Sequence, residues 1–177
     1  MSATETLQRL GWRSFFQSQT DPQAGMRPAR VMHVHRGRIE VEHEEGTEAI
    51  AVTGKAAELG ITVGDWVLLD PGGPAVKRRL ERQTLFQRRA AGTAGELQLI
   101  AANVDTLFVV TSANRDFNVA RLERYLAIAS DAGAFPVVVI TKADLVEEVG
   151  DFVAAANALT PGILVETLDA RDPAQVD

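Results

Sequence analysis

A chain of 177 residues, 46% apolar and 24% charged, is long enough to bury a core in one or two globular domains. No apolar run approaches the roughly eighteen residues that a membrane span needs, and the polar first ten residues lack the apolar centre of a signal peptide. The absence of Cys excludes disulfides and thiolate metal sites within these residues, so the composition points to a cytoplasmic protein. The net charge of −6 is unevenly spread. Residues 1–90 carry 13 basic against 11 acidic side chains, whereas residues 91–177 carry 5 against 13. Such asymmetry suggests two domains with different partners.

Residues 1–26 read as a leader. Leu7, Leu10, Phe15 and Phe16 are apolar, Gly11-Trp12 interrupts any continuous helix, and the aromatic rings need cover. Residues 27–90 read as a small all-β domain. Short alternating strands are expected at 29–35, 38–43, 48–53, 63–69 and 75–80, punctuated by Arg36-Gly37, Glu44-Glu45-Gly46 and Pro71-Gly72-Gly73-Pro74. A helical turn is expected at 54–60. Five strands with a helical insert after the third match an OB-fold barrel, with an SH3-like barrel as the competing architecture. His33 and His35 share a strand face, but no third ligand is evident, so solvated histidines are the simpler reading and no metal site is expected.

Six of the 18 basic residues lie between Lys77 and Arg89. Lys77, Arg78, Arg79, Arg82, Arg88 and Arg89, with Phe86 among them, form the pattern of a phosphate-tracking patch with a stacking aromatic. A solvated basic loop is the alternative. The small residues and glycines after Arg89 suggest a linker or mobile loop through residue 95.

From residue 96 the periodicity changes to β-α-β. Strands are expected at 104–111, 136–140 and 163–167, and helices at 118–132, with Gly133 as C-cap, and at 145–159; Asp172-Pro173 opens a further helix. Right-handed crossovers would make the three strands parallel. The apolar run Val137-Val138-Val139-Ile140 suits a strand buried on both faces. Thr141, Lys142 and Asp144 follow it at once, at the strand end where open α/β sheets bind ligands. Two readings fit: a guanine-specificity element of the Asn-Lys-x-Asp type with Thr in first place, or a solvated turn with Asp144 as a helix N-cap.

Several separated segments together resemble one family. They are Leu10-Gly11-Trp12, Ala29-Arg30-Val31, Val63-Gly64-Asp65-Trp66, Arg88 to Gly92, Ile100-Ala101-Ala102-Asn103-Val104-Asp105, Asp116-Phe117-Asn118, Leu122-Glu123-Arg124-Tyr125-Leu126 and Thr141 to Leu145. In order and spacing the chain resembles the ribosome small-subunit-dependent GTPases of the RsgA family, which are circularly permuted. The resemblance implies an N-terminal OB domain (27–90) followed by the first half of a P-loop GTPase-like α/β domain (91–177), in which the guanine motifs precede the phosphate loop. It also implies GTP and Mg2+ for the complete protein, Zn2+ in a C-terminal domain, and the small ribosomal subunit and its rRNA as partners of a monomeric factor in late subunit maturation.

On that resemblance Asp144 would accept from guanine N1–H and the 2-amino group, and Lys142 would cover a base face. Thr141 would tie the strand end to the phosphate loop. Asp169-Ala170 would stand for the second base contact, usually Ser-Ala, with the Ala170 amide near guanine O6. The basic patch would face rRNA.

A phosphate loop needs G-x-x-x-x-G-K-[ST]. Gly54-Lys55 is followed by Ala56, with Ala49 in place of the first Gly, and neither Lys77 nor Lys142 follows a Gly. No phosphate-handling residue can be assigned, and the chain alone is expected to hydrolyse no GTP. The competing reading is an OB-fold RNA-binding module without nucleotide hydrolysis.

Overall fold

The protein is described by a computed structural model covering residues 3–89 and 97–176. It divides into two compact units, Met1–Val104 and Asp105–Asp177.

In the first unit, two short helices, α1 (Ala3–Arg9) and α2 (Ser14–Gln17), precede an antiparallel sheet. Its strands are β1 (Arg27–His35), β2 (Arg38–His43), β3 (Gly46–Ala51), β4 (Trp66–Leu69) and β5 (Val76–Arg79), in the order β3-β2-β1-β4-β5. Period-two alternation turns Ala29, Val31, Ile39, Val41, Ile50, Val67, Leu69 and Val76 into one shared core. Fully burying a Val, Ile or Leu is worth roughly 1.5–3 kcal/mol, so this core dominates the stability of the sheet. β4 is buried along its whole length, because Trp66 and Leu68 point the other way and pack with Leu7, Leu10, Phe16 and Leu80. Trp12 and Trp66 pack edge to face, with ring centroids 4.7 Å apart. Helix α1 ends before Gly11, whose φ of +89° carries the chain into this aromatic cluster.

Among the described residues the antiparallel sheet does not close into a barrel: β3 and β5 are its two edges, and no ladder joins them. Both edges contribute to the same core, through Ile50 and Val76, so the sheet must curl around it. β5 has only four residues, and a 3-10 turn at Gly54–Leu59 packs against it. Arg79 Nε donates to the Leu59 carbonyl at 3.0 Å, so β5 is tied to that turn where closure would need a strand.

The solvated basic loop, the alternative reading of the stretch before Arg89, does not hold. The chain there forms β6 (Leu85–Arg89), paired antiparallel with β7 (Leu97–Ala102). The linker or mobile loop expected after Arg89, through residue 95, lies outside the described residues. β7 is anchored to the first unit: the Ala102 amide donates to the Val63 carbonyl at 2.8 Å, and Thr84 Oγ1 accepts from the Val104 amide at 2.7 Å. These bonds tie β7 into the compact unit that runs to Val104.

The second unit is a parallel three-stranded sheet in the order β10-β9-β8. In chain order its elements are β8 (Thr106–Ser112), α3 (Val119–Ala132), β9 (Phe135–Thr141), α4 (Gly150–Asn157), β10 (Leu164–Leu168) and α5 (Pro173–Val176). The strand-rich apolar run is the central strand, and Val137, Val138 and Ile140 are buried in it. Helix α3 starts where the Asn118 side chain accepts from the Arg121 amide, and it ends at left-handed Gly133. Its buried residues Leu122, Leu126 and Ala129 fall on one face, and Leu122 and Leu126 join Val109, Val138 and Ile140 in the core.

The helix expected at 145–159 begins only at Gly150. Val146 is extended after the 3-10 turn Ala143–Leu145, which breaks the helical path before it starts. Among the described residues, no helix is long and apolar enough to cross a membrane.

Candidate functional site

Parallel register brings the carboxyl ends of three strands abreast: Ser112 pairs with Thr141, and Thr141 with Leu168. The Thr141 hydroxyl donates to the Thr111 carbonyl at 2.9 Å and lies 3.2 Å from Ser112 Oγ. In the other direction the Ala113 amide donates to the Thr141 carbonyl at 2.9 Å. The first residue of the Thr-Lys-x-Asp element therefore fastens the central strand to its neighbour. Thr141→Val keeps the branched shape and removes that donor. It is expected to cost about 1 kcal/mol and to speed amide exchange at Ala113; unchanged exchange there would show that the hydroxyl ties nothing.

After Thr141 the chain turns sharply. Lys142 adopts φ 60° and ψ 29°, one of two non-glycine residues with positive φ among those described. That conformation costs an L-residue about 1–2 kcal/mol. It starts the 3-10 turn Ala143–Leu145, which leaves the Lys142 side chain exposed and sets Asp144 above the sheet end. The N-cap reading of Asp144 does not hold, since Asp144 sits inside this turn and α4 begins at Gly150.

β10 ends beside β9, so Asp169 emerges next to Lys142 and Asp144. Arg171 joins the two acids. Its Nε donates to Asp169 Oδ1 at 2.9 Å, and its Nη2 donates to Asp169 Oδ2 at 3.0 Å and to Asp144 Oδ2 at 2.7 Å. Ala170 is exposed between Asp169 and Arg171. Sequence reasoning missed Arg171; its position two residues after the second candidate carboxylate was the available signal.

The Arg171 side chain, and then its backbone amide, hold the Asp169 carboxyl below the ordinary aspartate value. The two carboxylates, Asp169 first, raise Arg171 in turn. A depressed carboxyl keeps its favourable pairing at all pH above the ordinary value and loses it only as pH falls through the lower folded value. A carbon-detected NMR titration should therefore place the Asp169 midpoint below that of a free aspartate, and Arg171→Gln should bring it back up. A wild-type midpoint at the free value would remove the pair.

Beside this cluster, at the end of β8, a cleft of about 220 Å³ is lined by Ser112, Asp116, Arg121 and Tyr125, among others. Arg121 Nη2 spans it locally, donating to the Asp116 carbonyl at 2.6 Å.

The basic patch of the first unit is not one surface. Lys77 pairs with Asp70 at 2.5 Å, and Arg78 donates to the Gln19 carbonyl. Arg79 is committed to the carbonyls of Leu59 and Leu80. Arg82 forms a two-pronged bond to Asp65, whose side chain is fully buried. The stacking role expected of Phe86 does not fit, because its ring is buried at 8% exposure. Of the expected set, Lys77, Arg78, Arg88 and Arg89 face solvent, with Arg88 donating to Gln98 Oε1. His33 and His35 stack at 6.2 Å, and His35 meets Glu40 at 3.2 Å.

Comparison with known proteins supplies independent evidence. A family model described as RsgA GTPase matches residues 79–176. A protein of Mesorhizobium japonicum named small ribosomal subunit biogenesis GTPase RsgA is 44% identical over 97% of this chain and 50% of its own length. One of Vibrio vulnificus, named small ribosomal subunit biogenesis GTPase RsgA 2, is 43% identical over 97% of this chain and 49% of its own. The chain thus spans about half the length of the curated relatives it matches. Among solved structures, YjeQ from Thermotoga maritima superposes with a TM-score of 0.63 at 24% identity, over 82% of this chain and 52% of that one. YloQ, described as a circularly permuted GTPase, gives 0.60 at 22%, over 86% and 55%. At those identities the likeness speaks for the fold.

Proposed function

Because the chain belongs to the RsgA GTPase family, we propose that it is the base-recognising part of a GTPase acting in small ribosomal subunit biogenesis. The observation that carries this reading is Asp144, a carboxylate held at the carboxyl end of a central parallel strand beside the end of β10. Ligands of open α/β sheets bind at that edge. A carboxylate there matches the paired N–H donors of guanine, which adenine lacks. The Lys142 stem covers one face of the base, and Ala170 offers its amide to O6 from the adjoining strand end.

The residues that fit GTP here hold its base end alone. GTP with Mg2+ would supply the cleavable phosphate bond, and phosphate handling requires residues that none of these positions provide. Zinc belongs, on this reading, to a further domain of the complete protein. The first unit is the RNA-facing part, through Lys77, Arg78, Arg88 and Arg89, and binding by such contacts falls with rising salt. The factor works in the cytoplasm as a monomer.

Two measurements test the proposal on the 177-residue chain. It should bind guanosine 5′-monophosphate weakly and turn over no GTP, and Asp144→Asn should reverse the preference toward xanthosine 5′-monophosphate. Undiminished guanine binding by the Asn variant would end the assignment of Asp144, and measurable turnover would end the division of labour.

A further inference from the structure

The Arg171 guanidinium and the guanine edge are chemically alike: each is a planar pair of N–H donors suited to a carboxylate. In the structure Arg171 Nη2 already occupies Asp144 Oδ2 at 2.7 Å, the acceptor that base recognition would use. Three features make this contact a reversible cover. Arg171 belongs to the segment after β10 and Asp144 to the turn after β9, so it joins two separate loops across the sheet end. Asp144 is about one-third exposed while Arg171 is 71% exposed, which leaves the guanidinium free to swing outward. Finally, Arg171 also holds Asp169 through Nε and Nη2. When Nη2 swings off Asp144, Nε keeps the guanidinium paired with Asp169, and the partly exposed Asp144 carboxylate turns to water or to the base.

Resting on the reading of Asp144 as the base acceptor, we infer that Arg171 is an internal competitor for that carboxylate. It closes the empty base site by pairing with Asp144 and opens it by falling back on Asp169. The base therefore enters against an ion pair, and Arg171 lowers base affinity by the strength of that pair. The paired state also holds the Asp144 side chain in place, so opening exposes a site already formed. High salt screens exposed ion pairs and shifts the balance toward the open state.

The test uses the full 177-residue chain and guanosine, a neutral probe with the base edge and no phosphate for Arg171 to attract. Wild type, Arg171→Ala, Arg171→Lys and Arg171→Ala/Asp144→Asn are titrated by NMR, following the amides of residues 141–145 and 169–172. Arg171→Ala should bind guanosine about two- to five-fold more tightly than wild type, the range that an exposed ion pair supports. Arg171→Lys should fall between them. Wild-type affinity should rise between about 20 mM and about 1 M NaCl, and the Ala variant should show no such rise.

A wild type that binds guanosine as tightly as Arg171→Ala, or more tightly, overturns the competitor and leaves the base reading standing. Binding by the double variant equal to that of Arg171→Ala overturns the base reading, and the competitor with it. Absence of binding to both wild type and Arg171→Ala does the same. Arg171 is so exposed that its replacement leaves the fold intact, and the dispersion of the same spectra verifies this.

Discussion

Replacing Asp65 with alanine is expected to destabilise the first unit by about 3–5 kcal/mol. The Asp65 carboxylate is fully buried. Its Oδ1 accepts from Arg82 Nε at 2.7 Å, and its Oδ2 accepts from Arg82 Nη2 at 2.8 Å and from the Thr62 amide at 2.8 Å. Arg82 is itself 13% exposed and reaches on to the Gly60 carbonyl at 2.6 Å. The pair joins the approach to β4 to the segment that leads into β6. Removing the acid strands a desolvated guanidinium and an amide, and that is why the loss exceeds the net worth of the pair.

Both tryptophans of the chain, Trp12 and Trp66, lie in this unit, so denaturant unfolding followed by tryptophan fluorescence reports on it alone. Asp65→Ala/Arg82→Ala should lose less than the sum of the single variants. Strict additivity would mean that the two side chains do not act as a unit.

Gly64→Ala, at the preceding residue, is expected to cost about 2–5 kcal/mol through a different mechanism. Gly64 has φ +85°, and a Cβ added there would stand 2.1 Å from the Ala102 carbonyl oxygen, a contact with backbone that cannot rotate away. The close approach has a purpose. The Gly64 amide donates to the Val31 carbonyl at 2.8 Å, and its own carbonyl accepts from Asn103 Nδ2 at 3.0 Å. Here β7 and the approach to β4 come closer than any side chain allows. Gly37→Ala is the control: its φ is +77°, but a Cβ there meets nothing within 4 Å. It should show only the conformational penalty of about 1–2 kcal/mol. Equal losses at the two positions would assign the whole effect to φ and none to the contact with Ala102.

Local chemistry made some elements legible from the sequence. The run of β-branched residues before Thr141 is the central strand, because a strand covered on both faces needs no polar alternation. Asn118 and Gly133 bound α3, because a side-chain acceptor and a left-handed glycine act within a turn of the helix end. The strands of the first sheet follow their period-two pattern, and the Thr-Lys-x-Asp element stands at a strand end.

Other features were illegible because they depend on residues distant in sequence. Arg82 read as part of a phosphate-tracking patch, yet its partner Asp65 lies 17 positions away, and burial turned the pair into a structural clamp. Phe86 read as a stacking ring, yet it lies in a strand paired with β7 and its ring is buried. Barrel closure could not be read from strand count, because it depends on which edges meet. Helix α4 starts late because the turn carrying Asp144 sends the chain away from helical geometry first.

What this sequence determined by itself is therefore most strands of the two larger sheets, the helix between β8 and β9, and a carboxylate placed after a buried strand, since each rests on interactions spanning a few residues. What only the tertiary structure decided is which charges remain available for binding. Arg79 and Arg82 are held by distant backbone and acid groups, and Arg171 reaches Asp144 across 27 positions. A side chain's charge is written in its residue type, whereas its freedom to bind depends on burial and on competing partners, which exist only once the chain has folded.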